Sequence, residues 1–405
     1  MQPWSSWLHL PTMIRTHITL SRSAFNTNIT RVNSFTGYSS LALVVKANSY
    51  GLGMIPLSLL ADKHPGVSWL CTVGISEALT LRAAGITKSI VVLSYHDGSL
   101  EEAIKQDIHL AATSLQEAEA ISVAAQKAGK AASIHIKIDS GMGRNGLLAH
   151  EALDIIHRMR HLPSLELYGI FTHLSDTGHA DLSYSYLQLE RFDRLLDDLE
   201  AAQIIIPCTH ALSSSSLNLK PRRRYSFMRV GAAAYGLWKN PTQIELVNAI
   251  APLELIPVVE WKASITALKT IPAGEYVGYK RTFFTKEPTK LAMVPIGYSD
   301  GYPYALANKG KAYIRGHIIP VVGIVSMNIV AFDVSKVPDA QVGDEIILLG
   351  HSSPILPYEM AHDAGYITNL LMTGLHPAIE RDVVEEHLPY QLPHSLSRSI
   401  FTHIS

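Results

Sequence analysis

The sequence contains little cysteine, little excess charge and no long apolar run. Its two cysteines, Cys71 and Cys208, lie far apart in apolar stretches, which suits buried thiols in a reducing compartment rather than a disulfide framework. A net charge of −1 provides no global field that would attract nucleic acid or an anionic membrane. No apolar stretch approaches the roughly 18 residues that a membrane span needs, and the opening residues lack a signal-peptide pattern. We therefore expect a cytoplasmic protein with no nucleic-acid or membrane partner.

Histidine is abundant, with 19 residues, but the spacings typical of a zinc site are missing. Neither His-Glu-x-x-His nor paired Cys-x-x-Cys occurs. The sequence therefore predicts no metal site.

The chain of 405 residues is long enough for more than one domain. Eight short apolar runs alternate with helical patterns in its first part: 41–45, 69–73, 90–93, 108–112, 134–138, 167–171, 204–206 and 227–234. One predicted helix, over 114–130, begins with a capping box of Ser114 and Glu117 and ends near Gly129. Repeated strand-helix units favour parallel strands in a closed (β/α)8 TIM barrel over an open sheet.

The pattern changes after residue 245, where strand and hairpin signals are separated by glycine, proline and aspartate. The sequence therefore predicts an α/β protein with two domains. The barrel domain covers 14–245 and a mainly β domain covers 246–385, followed by a loosely packed tail.

Lys46 follows five apolar residues directly, at the carboxyl end of a predicted barrel strand, where barrel enzymes place their active sites. Burial disfavours an ammonium group and lowers its pKa, as a lysine that forms a Schiff base requires. The alternative is that Lys46 simply extends from a strand end into solvent.

Downstream, Lys137 and Asp139 share one strand face, and a Gly-Met-Gly turn brings Arg144 towards the same end of the barrel. Arg144 could bind a phenolate or carboxylate there, or form an ordinary loop salt bridge.

Further polar residues follow the later strands. His173 comes one step after an apolar strand, and a serine run is followed by the glycine-rich segment around Gly231 and Ala232. Hydroxyls and accessible backbone N–H groups after the seventh and eighth strands suit a phosphate. The alternatives are a core histidine and an ordinary serine loop. Tyr298 lies at a tight turn of the β domain, where, taken by itself, packing within a hairpin is the default interpretation.

Six segments in order carry a family resemblance: VVKANSYGLG, IHIKIDSGMGRNG, GIFTH, MRVGAAAYGL, PAGEYVGYKRTF and PIGYSDGYP. Together they resemble the alanine racemase family of fold type III pyridoxal phosphate enzymes, over about residues 15–381. The resemblance implies interconversion of L- and D-alanine, a small amino acid substrate, and supply of D-alanine for peptidoglycan. It also implies a homodimer in which each active site contains residues of both chains.

The resemblance also implies roles for single residues. Lys46 would hold pyridoxal phosphate covalently and act as one base, and Tyr298 of the other chain would be the opposite base. Arg229 would face the pyridine nitrogen, His173 would link it towards the tyrosine, and Arg144 would lie beside the cofactor's phenolic oxygen and the substrate. Lys137 matches a lysine that is often carbamylated, an anionic group that would hold Arg144. The remaining positions are phosphate contacts, at Tyr50, Ser214, Gly231 and Ala232, and a backbone contact to the substrate carboxylate, at Met327.

Some positions depart from the family pattern. Ile324 replaces an arginine, Asn328 an aspartate, and Asn369 a tyrosine that narrows the substrate pocket. A broad-specificity amino acid racemase, accepting serine or other side chains, is therefore the alternative to an alanine enzyme. A non-catalytic pyridoxal phosphate carrier on the same barrel is a further alternative, and the presence of the β domain disfavours it.

Overall fold

A computed structural model describes residues 15–385 of the chain. The opening segment, on which the expectation of no signal peptide depends, and the tail 386–405 lie outside the described residues, as does residue 14 of the expected first domain. Among the helices of the described range, none combines the length and the apolar composition that crossing a bilayer requires.

The first part of the chain alternates strands and helices as the sequence predicts. Its strands are β1 (Thr16–Ser21), β2 (Leu41–Val44), β3 (Val67–Gly74), β4 (Ser89–Tyr95), β5 (Ile108–Ala112), β6 (Ala132–Asp139), β7 (Leu147–Leu148), β8 (Leu165–Phe171), β9 (Cys208–His210) and β10 (Arg229–Val230). Its helical segments are α1 (Arg22–Thr36), α2 (Lys46–Tyr50), α3 (Met54–Lys63), α4 (Ile75–Ala83), α5 (Leu100–Lys105), α6 (Leu115–Ala128), α7 (Ala152–Met159), α8 (Ser183–Ala201) and α9 (Pro241–Asn248).

Eight of these strands follow one another in a parallel sheet in the order β10-β2-β3-β4-β5-β6-β8-β9, and the short β7 pairs with the end of β6. A parallel bridge between Ser213 and Arg229 connects the end strands and brings the sheet close to a closed ring. The predicted barrel is confirmed. Successive strand side chains point to opposite sides, so Leu41 and Leu43 pack towards the helices while Ala42 and Val44 fill the barrel centre. Burial on both sides explains the continuous apolar runs.

Two strand predictions need correction. The run 204–206 is not a strand, and Ile205 is 86% exposed. Pro207, which has no N–H to donate, follows the run, and the paired strand begins at Cys208, opposite Gly169 of β8. In the run 227–234 only Arg229 and Val230 form a strand, because the chain turns immediately afterwards.

The predicted capping of α6 is half right. The hydroxyl of Ser114 accepts a hydrogen bond from the Glu117 N–H at 3.2 Å, and Gly129 ends the helix in a left-handed conformation with φ 67°. The Glu117 carboxylate, however, accepts from the N–H of Thr113 at 2.8 Å, one residue before the expected partner.

The second part of the chain forms a mainly β domain, as predicted. Its strands are β11 (Val259–Ser264), β12 (Ala267–Ile271), β13 (Tyr276–Val277), β14 (Phe283–Phe284), β15 (Thr289–Val294), β16 (Lys311–Ile314), β17 (His317–Val322), β18 (Val330–Asp333), β19 (Glu345–Gly350) and β20 (Glu380–Val384), with helices α10 (Pro357–Asp363) and α11 (Thr368–Thr373). Nine strands make one sheet in the order β12-β15-β18-β17-β16-β19-β11-β1-β20.

The sequence-based division places the first strand in the barrel domain, 14–245, but the structure places it in the other sheet. β1 precedes the barrel in sequence but lies in the sheet of the β domain, antiparallel to β11 and parallel to β20. Its buried residues, among them Ile18 and Leu20, complete that sheet rather than the barrel. The two parts are therefore joined at both ends of the barrel segment, which fixes the β domain relative to the barrel more firmly than a single linker could.

Candidate active site

A cavity of about 430 Å3 lies at the carboxyl ends of the barrel strands. The sequence-predicted residues that line it are Lys46, Tyr50, Lys137, Arg144, His173, Ser214, Arg229, Gly231 and Ala232. The structure thus brings residues from five separate segments of the chain into one site, at the end of the barrel where the fold places chemistry.

Lys46 begins a left-handed turn directly after β2. The next four residues, Ala47, Asn48, Ser49 and Tyr50, have φ values of 52°, 54°, 50° and 58°. This conformation costs roughly 1–2 kcal/mol for each L-residue, so surrounding contacts must hold it. Hydrogen bonds within the turn do part of this, from Ser49 N–H to the Val45 carbonyl at 2.8 Å and from Met54 N–H to Asn48 Oδ1 at 2.8 Å.

Cations dominate the cavity. Lys46, Lys137, Arg144 and Arg229 all line it, whereas no carboxylate is found among its described lining residues. Burial, followed by repulsion from Arg144, lowers the pKa of Lys46, in the direction that the sequence suggested. The site is therefore built to receive an anion and to hold an amine that loses its proton readily.

Arg229 is 3% exposed and its guanidinium is held by several acceptors. Nη1 donates to Nδ1 of His210 at 2.5 Å and to the His210 carbonyl at 3.0 Å, and Nη2 donates to the Thr172 carbonyl at 2.7 Å. Nη2 also lies 3.4 Å from Nδ1 of His173. Burial lowers the pKa of Arg229 to about 10, so the group remains a cation at neutral pH and its position is fixed.

Sequence reasoning missed a chain of histidines beneath Arg229. His210 Nε2 lies 2.9 Å from His135 Nδ1, and His135 Nε2 lies 3.3 Å from His109 Nδ1. Since arginine can only donate, His210 Nδ1 must accept, which leaves its Nε2–H to donate to His135. The available sequence signal was that His109 and His135 lie within predicted barrel strands; His210 lies outside the predicted run 204–206, in a strand that the structure begins at Cys208.

The histidine chain also resembles a ligand cluster, because atoms of His135, Cys208 and His210 lie within 4.8 Å of one another. Two of those atoms already share the 2.9 Å hydrogen bond, and the Arg229 cation contacts His210. Burial, followed by repulsion from Arg229, also keeps the pKa of His210 well below its usual value. This arrangement favours hydrogen bonding of neutral rings over metal binding.

Lys137 has an unusual environment for a lysine. Its amine donates to Asn145 Oδ1 at 2.6 Å, and Asn145 in turn donates to Ser94 Oγ at 3.2 Å. Burial, followed by repulsion from Arg144, lowers the pKa of Lys137 to about 8. Asp139, predicted on the same face, serves the turn instead: its carboxylate accepts four backbone N–H groups of residues 141–144 at 2.8–3.1 Å and so orients the segment that carries Arg144.

A compact region of small residues closes another side of the cavity. The Ser214 hydroxyl accepts from the N–H groups of Gly231 at 3.0 Å and Ala233 at 3.2 Å. A Cβ at Gly231 would lie 2.5 Å from the Tyr50 hydroxyl, so only glycine allows the tyrosine ring to approach the backbone this closely. The four predicted phosphate contacts therefore adjoin one another.

Two predicted residues lie elsewhere within this chain. Tyr298 and Met327 are 47% and 55% exposed and belong to the β domain, outside the lining of the cavity. They are neighbours, because Ser299 N–H donates to the Met327 carbonyl at 3.1 Å. Asn369, at the start of α11, does line the cavity although it belongs to the second part of the chain.

The fold and the cavity together define a two-domain barrel enzyme with a half-buried lysine at the carboxyl ends of its strands. Family models match both parts of the chain: "Alanine racemase, N-terminal domain" over residues 20–239 and "Alanine racemase, C-terminal domain" over 258–383. The chain belongs to the alanine racemase family, a family of isomerases that depend on pyridoxal phosphate. The resemblance deduced from the six sequence segments is confirmed.

Individual relatives agree with this assignment. An alanine racemase of Symbiobacterium thermophilum is 32% identical over 362 residues, which is 89% of this chain and 94% of that protein. Another, of Methanococcus maripaludis, is 35% identical and covers 81% of this chain and 87% of its own. The crystal structure of alanine racemase from D-cycloserine producing Streptomyces lavendulae aligns with a TM-score of 0.85 at 28% identity, covering 94% of this chain and 99% of that one.

Proposed function

We propose that this protein interconverts L- and D-alanine with pyridoxal phosphate bound at Lys46, and so supplies D-alanine for peptidoglycan. The observation that carries the proposal is Lys46 itself: a lysine with a lowered pKa in an anion-receiving cavity at the carboxyl end of a barrel strand. Membership of the alanine racemase family supports the same reaction.

The residues present fit pyridoxal phosphate. Tyr50, Ser214, Gly231 and Ala232 adjoin one another and suit the phosphate: the Ser214 hydroxyl accepts from the N–H of Gly231 and can donate its own proton to a phosphate oxygen. Arg229 suits the pyridine nitrogen, since a cation there discourages protonation of the ring, and Arg144 suits a phenolic oxygen. When bound, the cofactor supplies an electron sink for the pair left as the substrate Cα loses its proton.

The protein's own part is to place one base on each face of the substrate. Lys46 holds or returns a proton on one face, because its lowered pKa makes the neutral amine accessible. Tyr298 is the candidate for the other face. Since it is half-exposed and outside the cavity of its own chain, we propose that a second copy contributes it, together with the backbone of Met327, to a homodimer with shared sites.

Two further residues orient the site. Burial, followed by repulsion from Arg229, lowers the pKa of His173 to about 3. The neutral ring can therefore accept a hydrogen bond from Arg229 and donate one to Tyr298 of the second copy without adding charge. Arg144, held by the Asp139 turn, faces the substrate carboxylate.

Asn369 favours a second candidate, a racemase of broader specificity. Its side chain lines the cavity where the family places a ring-bearing tyrosine, so both the size and the polarity of the pocket allow serine or longer side chains. Alanine remains the first proposal. A cytoplasmic location is part of it, supported by the two free, buried cysteines Cys71 and Cys208.

The decisive experiment loads the purified protein with pyridoxal phosphate, reduces it with borohydride and maps the labelled peptide, while D-alanine formation from L-alanine is assayed in parallel. We expect the label on Lys46 and D-alanine as product. Tyr298→Phe should abolish racemisation and leave labelling at Lys46 intact. Label on another residue, or full activity of Tyr298→Phe, would refute the proposal; serine turnover equal to that of alanine would favour the second candidate.

A further inference from the structure

Outside the residues assigned so far, one carboxylate is bonded to the turn that follows Lys46. Glu77 lies in the first turn of α4, the helix after β3. Its Oε1 accepts a hydrogen bond from the N–H of Ala47 at 2.7 Å, and its Oε2 accepts one from the N–H of Val73 at 2.9 Å. One side chain therefore connects the residue directly after Lys46 to the end of the neighbouring barrel strand.

The turn over residues 47–50 needs contacts from outside to hold its left-handed conformation. Ala47 is the first of the four consecutive residues in the left-handed region, and relaxation of any of them would rotate the backbone on which Lys46 is mounted. Backbone hydrogen bonds join the turn to adjacent residues, from Val45 to Gly53, and Asn48 Oδ1 accepts from the N–H of Met54. The Glu77 bond links it to β3, whose residue Val73 also lines the cavity.

Glu77 also affects the charge state of Lys46. Its negative charge favours the ammonium form of Lys46, whereas burial, Arg144 and Arg229 all favour the neutral form. Since the described residues that line the cavity are without a carboxylate, Glu77 partly offsets the surrounding cations from just outside.

We propose that Glu77 is a positioning residue for the reaction: its carboxylate holds the left-handed turn against β3 and thereby fixes the place of the Lys46 amine in the cavity. This inference rests on the proposed function, in which Lys46 is the reacting group. A carboxylate is required because both backbone N–H groups need an acceptor, and an amide would turn its NH2 group towards one of them.

The test compares Glu77→Gln with Glu117→Gln in the full-length protein loaded with pyridoxal phosphate. Glu117 is a matched control, because it too lies in the first turn of a helix after a barrel strand and accepts from the N–H four residues earlier, that of Thr113 at 2.8 Å. It has no part in the Lys46 turn. The measurements are amide hydrogen exchange at Ala47, Val73 and Thr113, and kcat and KM for L-alanine.

In Glu77→Gln we expect amide exchange at Ala47 or Val73 to accelerate roughly 10- to 100-fold, the equivalent of a lost charge-assisted hydrogen bond. We expect kcat to fall by a similar factor while KM changes less than about threefold, because the amine is misplaced but the substrate contacts remain. Glu117→Gln should leave kcat and exchange at Ala47 and Val73 at their wild-type values, because its amide oxygen can still accept from the one N–H, that of Thr113.

Wild-type exchange at both Ala47 and Val73, or an unchanged kcat, would overturn the inference. If Glu77→Gln does not fold, Glu77→Asp keeps the charge but is too short to reach both donors. It should then accelerate exchange at one of the two amides, and wild-type exchange at both would equally overturn the inference. Failure of the proposed function is distinguishable, because it appears as absent labelling of Lys46 in the wild-type protein itself.

Discussion

Gly231→Ala tests the proposed phosphate site with the smallest possible change. An ideal Cβ at Gly231 would lie 2.5 Å from the Tyr50 hydroxyl and 2.7 Å from its Cε2, whereas carbon atoms in contact are normally about 3.5–4.0 Å apart. The tyrosine ring would have to retreat by about 1 Å. Gly231 is not among the residues with positive φ, so alanine adds no backbone strain and the clash is the whole perturbation.

Tyr50 has little freedom to move away. It ends the left-handed turn, with φ 58°, and its ring packs edge-on against the fully buried ring of Tyr235, with centroids 5.7 Å apart. Overpacking of this kind costs about 1–3 kcal/mol. If the cofactor-bound state bears that cost, the affinity for pyridoxal phosphate falls roughly 5- to 150-fold, at about 1.4 kcal/mol for each factor of ten.

The assay is titration of the cofactor-free protein with pyridoxal phosphate, followed by absorbance, for wild type, Gly231→Ala, Tyr50→Ala and the double variant. Because Tyr50→Ala removes the obstructing ring, the added alanine at position 231 should have little further effect in that background, and the two changes should be strongly non-additive. Affinity within about twofold of wild type for Gly231→Ala, or an equal loss in both backgrounds, would refute the reasoning.

Three other perturbations follow from the same site. Burial lowers the pKa of His109 to about 4 and that of His173 to about 3. As the pH falls, the unfolded chain therefore binds protons before the folded chain does. Below pH ~6.5 the free energy of unfolding should decrease by about 1.4 kcal/mol per pH unit for each ring. Urea unfolding at about pH 7.5 and pH 5.5 measures this, and equal stabilities would contradict it. With its pKa lowered to about 8, Lys137 should form a carbamate under 13C-labelled CO2, giving an NMR signal that Lys137→Arg lacks; no signal in the wild type would disprove it. Asn369→Tyr should lower kcat/KM for serine relative to alanine by about tenfold or more, and an unchanged ratio of the two values would show that Asn369 does not set the pocket size.

Continuous apolar runs in the sequence predicted barrel strands correctly where the strand is buried on both sides. The local sequence pattern located the barrel strands around Lys46 and Lys137 and the helix that begins after Ser114. It failed at 204–206, where the same apolar composition precedes a proline and the middle residue, Ile205, is exposed to solvent. Hydrophobicity records what a residue prefers, whereas strand formation also requires a partner for each backbone N–H.

Contacts distant in sequence could not be foreseen from the same pattern. Membership of β1 in the second sheet depends on pairing between residues 239 to 247 positions apart. The histidine chain under Arg229 depends on three inward-facing positions of different strands meeting at the barrel centre. Neither leaves a periodic signal along the chain.

The amino-acid order alone was enough to establish the repeated strand-helix units, the family, and the lysine that ends an apolar strand, since each of these is written in neighbouring residues. The family resemblance named Arg229, Lys137 and Gly231 as residues of the site. Only the folded chain showed the Glu77 carboxylate bonded to the turn after that lysine, the histidine chain beneath Arg229 and the close approach of Tyr50 to Gly231. The physical reason is that charge, burial and close approach act through space over a few ångströms, and closure of the barrel sets those distances.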